Sequence, residues 1–447
     1  MSNKNARNVK KAAKAAKKHP KIAITLIIIL VVIIAAAAVL YFVRPDIVHN
    51  FFDNLNGQNQ AGGNGGDSNG GTGGGTGGEA PAKPLEGTEA EIAESGFSIH
   101  FLELGNKSAG DCVLIDCGDV EVLIDAGSEQ NSADDIKAYV DKYCNDNTLE
   151  YVISTHADSD HISAFYGESK GGTRTGIFYQ YNVGTLIKFD RTHKTTNIYN
   201  NYLGAIEQLK EKGTQVFTAS QCYDERDGAM RQYYLDEAQT LSINILYNYY
   251  YYNNSSDENN FSVVTLLTKE TPEGNKHFLF TGDLEEDGEK RLVQYYSTPS
   301  NSKSEFDILP EVELYKAGHH GSKTSSNEVL IDVIKPKNVA VCCCAGSPEY
   351  TKNNLNTFPT QAMIDHVGKY TKNIFVTTLA TDLPVLNANG EFASKTWGFT
   401  SMNGNIVFYW GADESGNAEI KLYCSNDYTL LKDTEWFKTY RTWNGVA

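Results

Sequence analysis

The longest apolar run in the chain, IAITLIIILVVIIAAAAVLYFV, extends from Ile22 to Val43 without a charged residue. At ~1.5 Å per helical residue it matches the roughly 30 Å hydrocarbon core of a bilayer. Tyr41 and Phe42 stand at its outer end, where aromatic rings favour the interface. A cleaved signal peptide would carry an apolar region of only about 7–15 residues, so an uncleaved anchor is expected, although the four alanines at 35–38 resemble a cleavage site. The pattern then vanishes. GQNQAGGNGGDSNGGTGGGTGG, from Gly57 to Gly78, followed by a Pro-containing piece, reads as a flexible coil and a stiffer end. From Phe97 onward short apolar runs alternate with helical periodicity. Strands are expected at 98–104, 112–115, 120–125, 151–154, 186–189, 241–247, 261–267, 277–281, 312–316, 339–344 and 374–377. Helices are expected at 132–143, with Ser132 as N-cap and Asp134 and Asp135 in the first turn, and at 198–212, 327–334 and 360–370. Gly118-Asp119 marks a tight hairpin. The pattern predicts four segments: a basic tail (1–21), a transmembrane helix (22–43), a flexible linker (44–95) and one layered α/β domain (96–447).

Charge sharpens this picture. The chain has 447 residues and a formal net charge of −17. Residues 1–21 hold eight Lys/Arg and no acid, leaving 31 bases against 56 acids in the rest, a net of −25. Positive charge on the N-terminal side of the apolar run places the tail in the cytoplasm and the bulk of the chain outside the membrane. A domain that acidic is not expected to be a tight general nucleic-acid binder. Of the eight cysteines, Cys342, Cys343 and Cys344 lie in VAVCCCAG, which reads as a buried strand in which thiols serve as small apolar side chains. At most one or two disulfides are expected.

The candidate chemistry is concentrated in three places. After the strand at 151–154 comes Thr155-His156-Ala157-Asp158-Ser159-Asp160-His161, four ligand-type side chains in six residues. On an extended loop, His156, Asp158 and Asp160 would converge on one side and His161 on the other. So dense a set of acids and imidazoles calls for cations, and the geometry could hold two a few ångström apart. A second apolar strand ends at Thr281-Gly282-Asp283, and a third at Gly318-His319-His320-Gly321-Ser322. Strand ends are where α/β proteins build sites.

In this order the motifs resemble the metallo-β-lactamase-fold hydrolases, in particular the domain at the C-terminus of the DNA-uptake channel protein ComEC. Asn259-Asn260-Phe261-Ser262 is similar to that subgroup's Asn-Asn-x-Ser, and Leu123-Ile124-Asp125-Ala126-Gly127 to the superfamily's early Asp motif. The resemblance covers about 97–378, with weaker strands to about 423. It implies a four-layer αββα sandwich with a two-metal site at one sheet edge. His156 and Asp158 would serve one ion, Asp160 and His161 the other, and Asp283 would bridge them. His319 would be the final ligand, with His320 as second choice or as proton donor. Asp125 would orient the ligand loop. The family's third histidine of the first site is absent, leaving that place to Asn260, Ser262, His193 or water. Asp158, where most of the superfamily has His, tilts the pair towards Mn²⁺ without excluding Zn²⁺. The family's Gly-Gly is Ser163-Ala164 here, and its later Tyr-Gly-His-Pro segment gives way to a loop around Ser347-Pro348-Glu349-Tyr350 that has no His.

The function expected from this is a membrane-anchored, extracytoplasmic, binuclear metal-dependent hydrolase. Asp160 would be the catalytic carboxylate, with His320 as its alternative proton donor. Ser322, Lys323 and Thr324 suit a phosphate group, so phosphodiesters of nucleic acid or of a cell-envelope polymer are the expected substrates. The same Ser/Thr run also reads as a helix N-cap. The alternative is a weak or inactive module that binds a cell-surface polymer through the tyrosines at 247–252. A third reading is a surface protein whose metals only stabilise the fold. No protein partner can be inferred.

Overall fold

The computed structural model describes residues 81–298, 309–412 and 418–447. The expected tail, membrane helix and most of the linker (44–80) lie outside them. Among the described residues no helix is long and apolar enough to cross a membrane.

The first half of the domain supplies β1 (Leu85–Glu86), β2 (Ser98–Phe101), β3 (Val113–Asp116), β4 (Glu121–Ile124) and β5 (Thr148–Ser154). A small hairpin follows, β6 (Ser169–Lys170) and β7 (Thr173–Arg174), then β8 (Asn182–Lys188) and β9 (Gln215–Thr218). The second half supplies β10 (Gln232–Tyr234), β11 (Leu241–Ile245), β12 (Thr265–Lys269), β13 (Lys276–Phe280), β14 (Leu314–Lys316), β15 (Asn338–Ala345), β16 (Ile374–Thr381) and β17 (Gly398–Ser401). β18 (Ile406–Ala412) and β19 (Ala418–Cys424) return to the first sheet. One sheet runs β1-β19-β18-β2-β3-β4-β5-β8-β9 and the other β10-β11-β12-β13-β14-β15-β16-β17. In each, an antiparallel meander passes into parallel strands: β4, β5, β8 and β9 in one, β13 to β16 in the other.

Strand alternation explains the layering. Along β15, Ala340 and Cys342 join the core between the sheets, while Val339, Val341 and Cys343 join the core under the outer helices. Phe97 meets Phe278 edge-on at 5.7 Å and Phe375 meets Phe408 at 6.0 Å, each pair linking the two sheets. All eight cysteines are free, and Cys342 to Cys344 are buried.

Several expectations are corrected. The linker does not run to residue 95. β1 pairs with β19, and a capping box between Thr88 and Glu91 starts the helix Glu89–Glu94, which buries Ile92. The N-cap of the helix Ser132–Val140 is Asn131, and Ser132 is its first residue. The strand expected at 261–267 begins only at Thr265. Before it, Asn248 Nδ2 donates to the carbonyls of Asn260 and Ser262, both at 2.9 Å, and holds Asn259–Phe261 in a 3₁₀ turn. The tyrosine run is not an open gripping surface. Tyr249–Tyr251 is a 3₁₀ turn, Tyr250 and Tyr251 are buried, and Tyr247 stacks on Tyr295 with centroids 3.8 Å apart.

Candidate metal centre

The parallel strands set the site. Asp125 follows β4, His156 follows β5, Asp283 follows β13, and His319 and His320 follow β14, so all stand beyond carboxyl ends of strands. Residues 156–161 are not an extended loop. The helix Ser159–Tyr166 starts directly after Asp158, driven by the helical spacing of Ile162, Phe165 and Tyr166, and Asp160 and His161 lie in its first turn. Gly127 lets this helix come close: a Cβ there would sit 1.5 Å from the Asp160 carbonyl oxygen. His319 (φ 44°) and His320 (φ 52°) both adopt left-handed backbone, which turns two adjacent rings in different directions.

Three buried imidazoles share one arrangement. His161 Nδ1 lies 2.7 Å from Asp125 Oδ2, and Asp125 also accepts from the Thr155 N–H and hydroxyl, each at 2.7 Å. His320 Nδ1 lies 3.0 Å from the Cys342 carbonyl and 3.3 Å from Asp111 Oδ1. His156 Nδ1 lies 3.1 Å from Thr155 Oγ1 and 3.5 Å from Ser262 Oγ. In all three rings Nε2 is buried without a hydrogen-bond partner. His161 Nε2 is 3.1 Å from Asp283 Oδ2. His320 Nε2 is 3.4 Å from both Asp160 Oδ2 and Asp283 Oδ2. His156 Nε2 is 3.9 Å from Asp158 Oδ2. With each Nδ1 held from behind, each Nε2 presents a lone pair towards carboxylate oxygens. Lone pairs facing lone pairs in a buried pocket need a cation between them, so the donor set fits a divalent ion. Asp111, His161, Asp283 and His320 bring one donor atom each to within 4.8 Å of one another.

The carboxylates' demand for positive charge also shows in the rings themselves, where it favours a proton on Nε2 that a bound cation would displace. Burial pulls the His320 imidazole down, yet Asp283 and Asp111 outweigh it and raise it to about 10. His161 is likewise raised against burial, chiefly by Asp283 and Asp125. His156 is lowered to about 3 by burial and by neighbouring His161. Asp283 is held well below the usual carboxylate range, because His161, His320 and Lys316 overcome the cost of burial.

His319, expected as the final ligand, is not in this cluster. Its Nδ1 lies 3.1 Å from Glu285 Oε1 and 3.2 Å from Thr324 Oγ1, and His320 stands beside Asp283 instead. Asn260 Oδ1 accepts from the N–H groups of Glu285 and Gly288, and Ser262 Oγ accepts from the Asp283 N–H at 3.1 Å. Thr324 donates to Glu285 at 2.7 Å, Ser322 Oγ is 2.9 Å from Thr324 Oγ1, and Lys323 reaches Asn356 at 3.0 Å. These three expected phosphate contacts do not line the cavity at the centre. That cavity, about 350 Å³, is lined by Asp158, Asp160, Lys194, His319, Glu349 and Tyr350, among others. A larger one of about 490 Å³ lies beside Lys276, Lys337 and Trp410, where both lysines pair with Glu313 and no histidine is present.

Four residues of the site were not singled out by their sequence context. Asp111 orients His320 and contacts the buried Lys316 ammonium, which also reaches Asp283 Oδ1 at 3.3 Å. Tyr350 donates to Asp160 Oδ2 at 2.8 Å. Lys194 contacts Asp158. The available signals were a Gly-Asp before β3 and a lone lysine at the end of an otherwise apolar strand.

Residues 105–168 match the family model described as Lactamase_B, metallo-beta-lactamase superfamily. That segment is thus similar to the metallo-beta-lactamase superfamily, and the described residues have a mixed α/β fold. No curated protein sequence matches the chain. Among solved structures, a point mutant of the CmlA beta-hydroxylase is 11% identical, with a TM-score of 0.30 over 56% of this chain, which spans 46% of that protein's length. A metallo-beta-lactamase HARLDQ-motif mutant from Cronobacter sakazakii is 14% identical (47% of this chain, 74% of that one, TM-score 0.26). Unliganded yeast PDE1 is 9% identical (63% and 87%, TM-score 0.27). Such distant likenesses transfer no activity.

Proposed function

We propose that this chain is a divalent-metal-dependent hydrolase of phosphodiester bonds, held by residues 22–43 at the outer face of a membrane. The observation that carries the reading is the set of three buried, unpartnered imidazole Nε2 atoms aimed at carboxylates. Asp160, His161, Asp283 and His320 would hold the metal, Mn²⁺ or Zn²⁺. The motifs at 259–262 and 318–326 favour kinship with the ComEC-like subgroup. When bound, the ion supplies Lewis-acid polarisation of the ester and acidifies a water molecule.

The chain's own groups account for the rest. Asp125 and the Cys342 carbonyl keep the His161 and His320 rings fixed, so no reorganisation is needed as charge develops. Asp160 is placed to accept a proton from an attacking water as its oxygen bonds to phosphorus and the ester P–O bond breaks. Tyr350, donating to Asp160, holds that carboxylate in place. His319 lines the cavity outside the ligand cluster and would give a proton to the leaving oxygen. The expected roles of the two histidines are thereby exchanged: His320 binds metal and His319 handles the proton. The phosphodiester class is favoured because Lys194 and the metal put positive charge into a small cavity that suits a singly charged ester. Nucleic acid and envelope polymer both contain such esters.

The test is turnover of bis(p-nitrophenyl) phosphate by the full-length chain. Activity should vanish with a chelator and return with Mn²⁺ or Zn²⁺. Metal bound at the centre with no phosphodiester turned over would refute the reading.

A further inference from the structure

The donors at the centre do not divide evenly between two ions. At one position His161 Nε2, His320 Nε2, Asp160 Oδ2 and Asp283 Oδ2 converge. At the other, His156 Nε2 and Asp158 Oδ2 face each other, 3.9 Å apart, while Asp283, expected to bridge the two, turns Oδ2 to His161 and His320 and Oδ1 to Lys316. The side chains expected to complete this second set are engaged elsewhere. Asn260 Oδ1 accepts two backbone N–H groups and Ser262 Oγ accepts a third. His193 Nε2 is 3.2 Å from Asn254 Oδ1.

What does face Asp158 is the Lys194 ammonium, in contact with Asp158 Oδ1 and lining the cavity. It is delivered by a pinned loop. Arg191 donates to the carbonyls of Tyr251 (3.3 Å) and Tyr252 (3.0 Å). Thr192 hydrogen-bonds Glu258, and the His193 N–H reaches the same carboxylate at 2.8 Å. The Lys194 N–H is tied to Thr192 Oγ1 at 2.9 Å. Lys316 also shares Asp283 with the first position, but there four donors converge; at the second, two donors alone face an ion that the Lys194 ammonium on the same carboxylate would repel.

We propose that the centre takes one divalent ion, at Asp160, His161, Asp283 and His320, and that Lys194 is a built-in cation occupying the second position. The inference rests on the metal-dependent reading only in requiring an ion at all. It replaces the expected ion pair with one ion and one ammonium, whose remaining N–H bonds are free to meet an anionic substrate oxygen.

The experiment titrates the full-length chain with Mn²⁺ in a chelator buffer. It reads manganese per chain by elemental analysis and the electron paramagnetic resonance spectrum, both without substrate. One ion per chain and the six-line signal of isolated Mn²⁺ are expected. Lys194→Met should admit a second ion at least about tenfold more tightly than the wild type does, and the spectrum should become that of a coupled pair. Lys194→Arg should stay at one ion. Two ions in the wild type, a coupled-pair spectrum there, no bound ion, or a Lys194→Met variant that still takes only one would each overturn the inference. A one-ion chain that hydrolyses no phosphodiester would sink the proposed activity and leave this inference standing. An active two-ion chain would do the reverse.

Discussion

His319 and His320 are adjacent in sequence, yet the backbone twist between them sends one ring to Glu285 and the other to Asp283. Their substitutions should therefore differ in kind. His320→Ala should lose tight metal binding and lower turnover at least ~100-fold. His319→Ala should keep the metal and slow esters with poor leaving groups far more than p-nitrophenyl esters, as loss of a proton donor requires. Equal metal loss in both variants would contradict the assignment. Asp125→Asn should weaken metal binding by ~10–100-fold, because it removes the acceptor that fixes the His161 ring. An unchanged metal titration would refute that role. At this scale the sequence was most legible where candidate ligands sit close together: His156, Asp158, Asp160 and His161 share one corner, and Asp283 ends an apolar strand. It was least legible for Asp111, Lys194 and Lys316. Each is an ordinary residue in its own segment and joins the candidate site only when another loop or strand is folded against it.

The corner after β5 works because two elements touch. A side chain at position 127 would collide with the Asp160 carbonyl, so Gly127→Ala should push the helix Ser159–Tyr166 outward. A loss of ~1–3 kcal/mol in stability is expected, with weakened metal binding. A normal melting temperature would contradict this. On β2, His100 is buried between Ser98 Oγ (2.7 Å) and the Tyr139 hydroxyl (2.9 Å), and burial lowers its pKa to about 3. Its folded pKa lies below the unfolded value, so its contribution to stability is complete above about pH 6.5 and is lost as pH falls towards 3. His100→Gln should flatten the acid side of the stability–pH curve by up to about 1.4 kcal/mol per pH unit. An unchanged slope would show that His100 is not the group responsible. Strand positions were legible because two-sheet packing buries alternating residues. The strand expected from 261 starts late because the Asn248 side chain holds the carbonyls of Asn260 and Ser262.

At the scale of the whole molecule, a basic tail, an apolar anchor and a Gly-rich tether are expected to precede the acidic folded domain. The protein should remain in the membrane pellet after high-salt and alkaline carbonate washing, and external protease should release the domain from intact cells; release by washing alone would contradict the anchor. The layered fold was legible from the alternation of strands and helices together with the ligand motifs. The ordered start of the domain was not, because the Thr88–Glu91 capping box lies just beyond a Gly-rich run that suggests only flexibility. The claim on which the rest depends is that strand ends distant in sequence enclose a metal ion. Anomalous X-ray scattering from crystals grown with manganese tests it most directly. A strong peak bounded by Asp160, His161, Asp283 and His320 is predicted. Saturating manganese with no peak there, or a peak only elsewhere, would contradict the account.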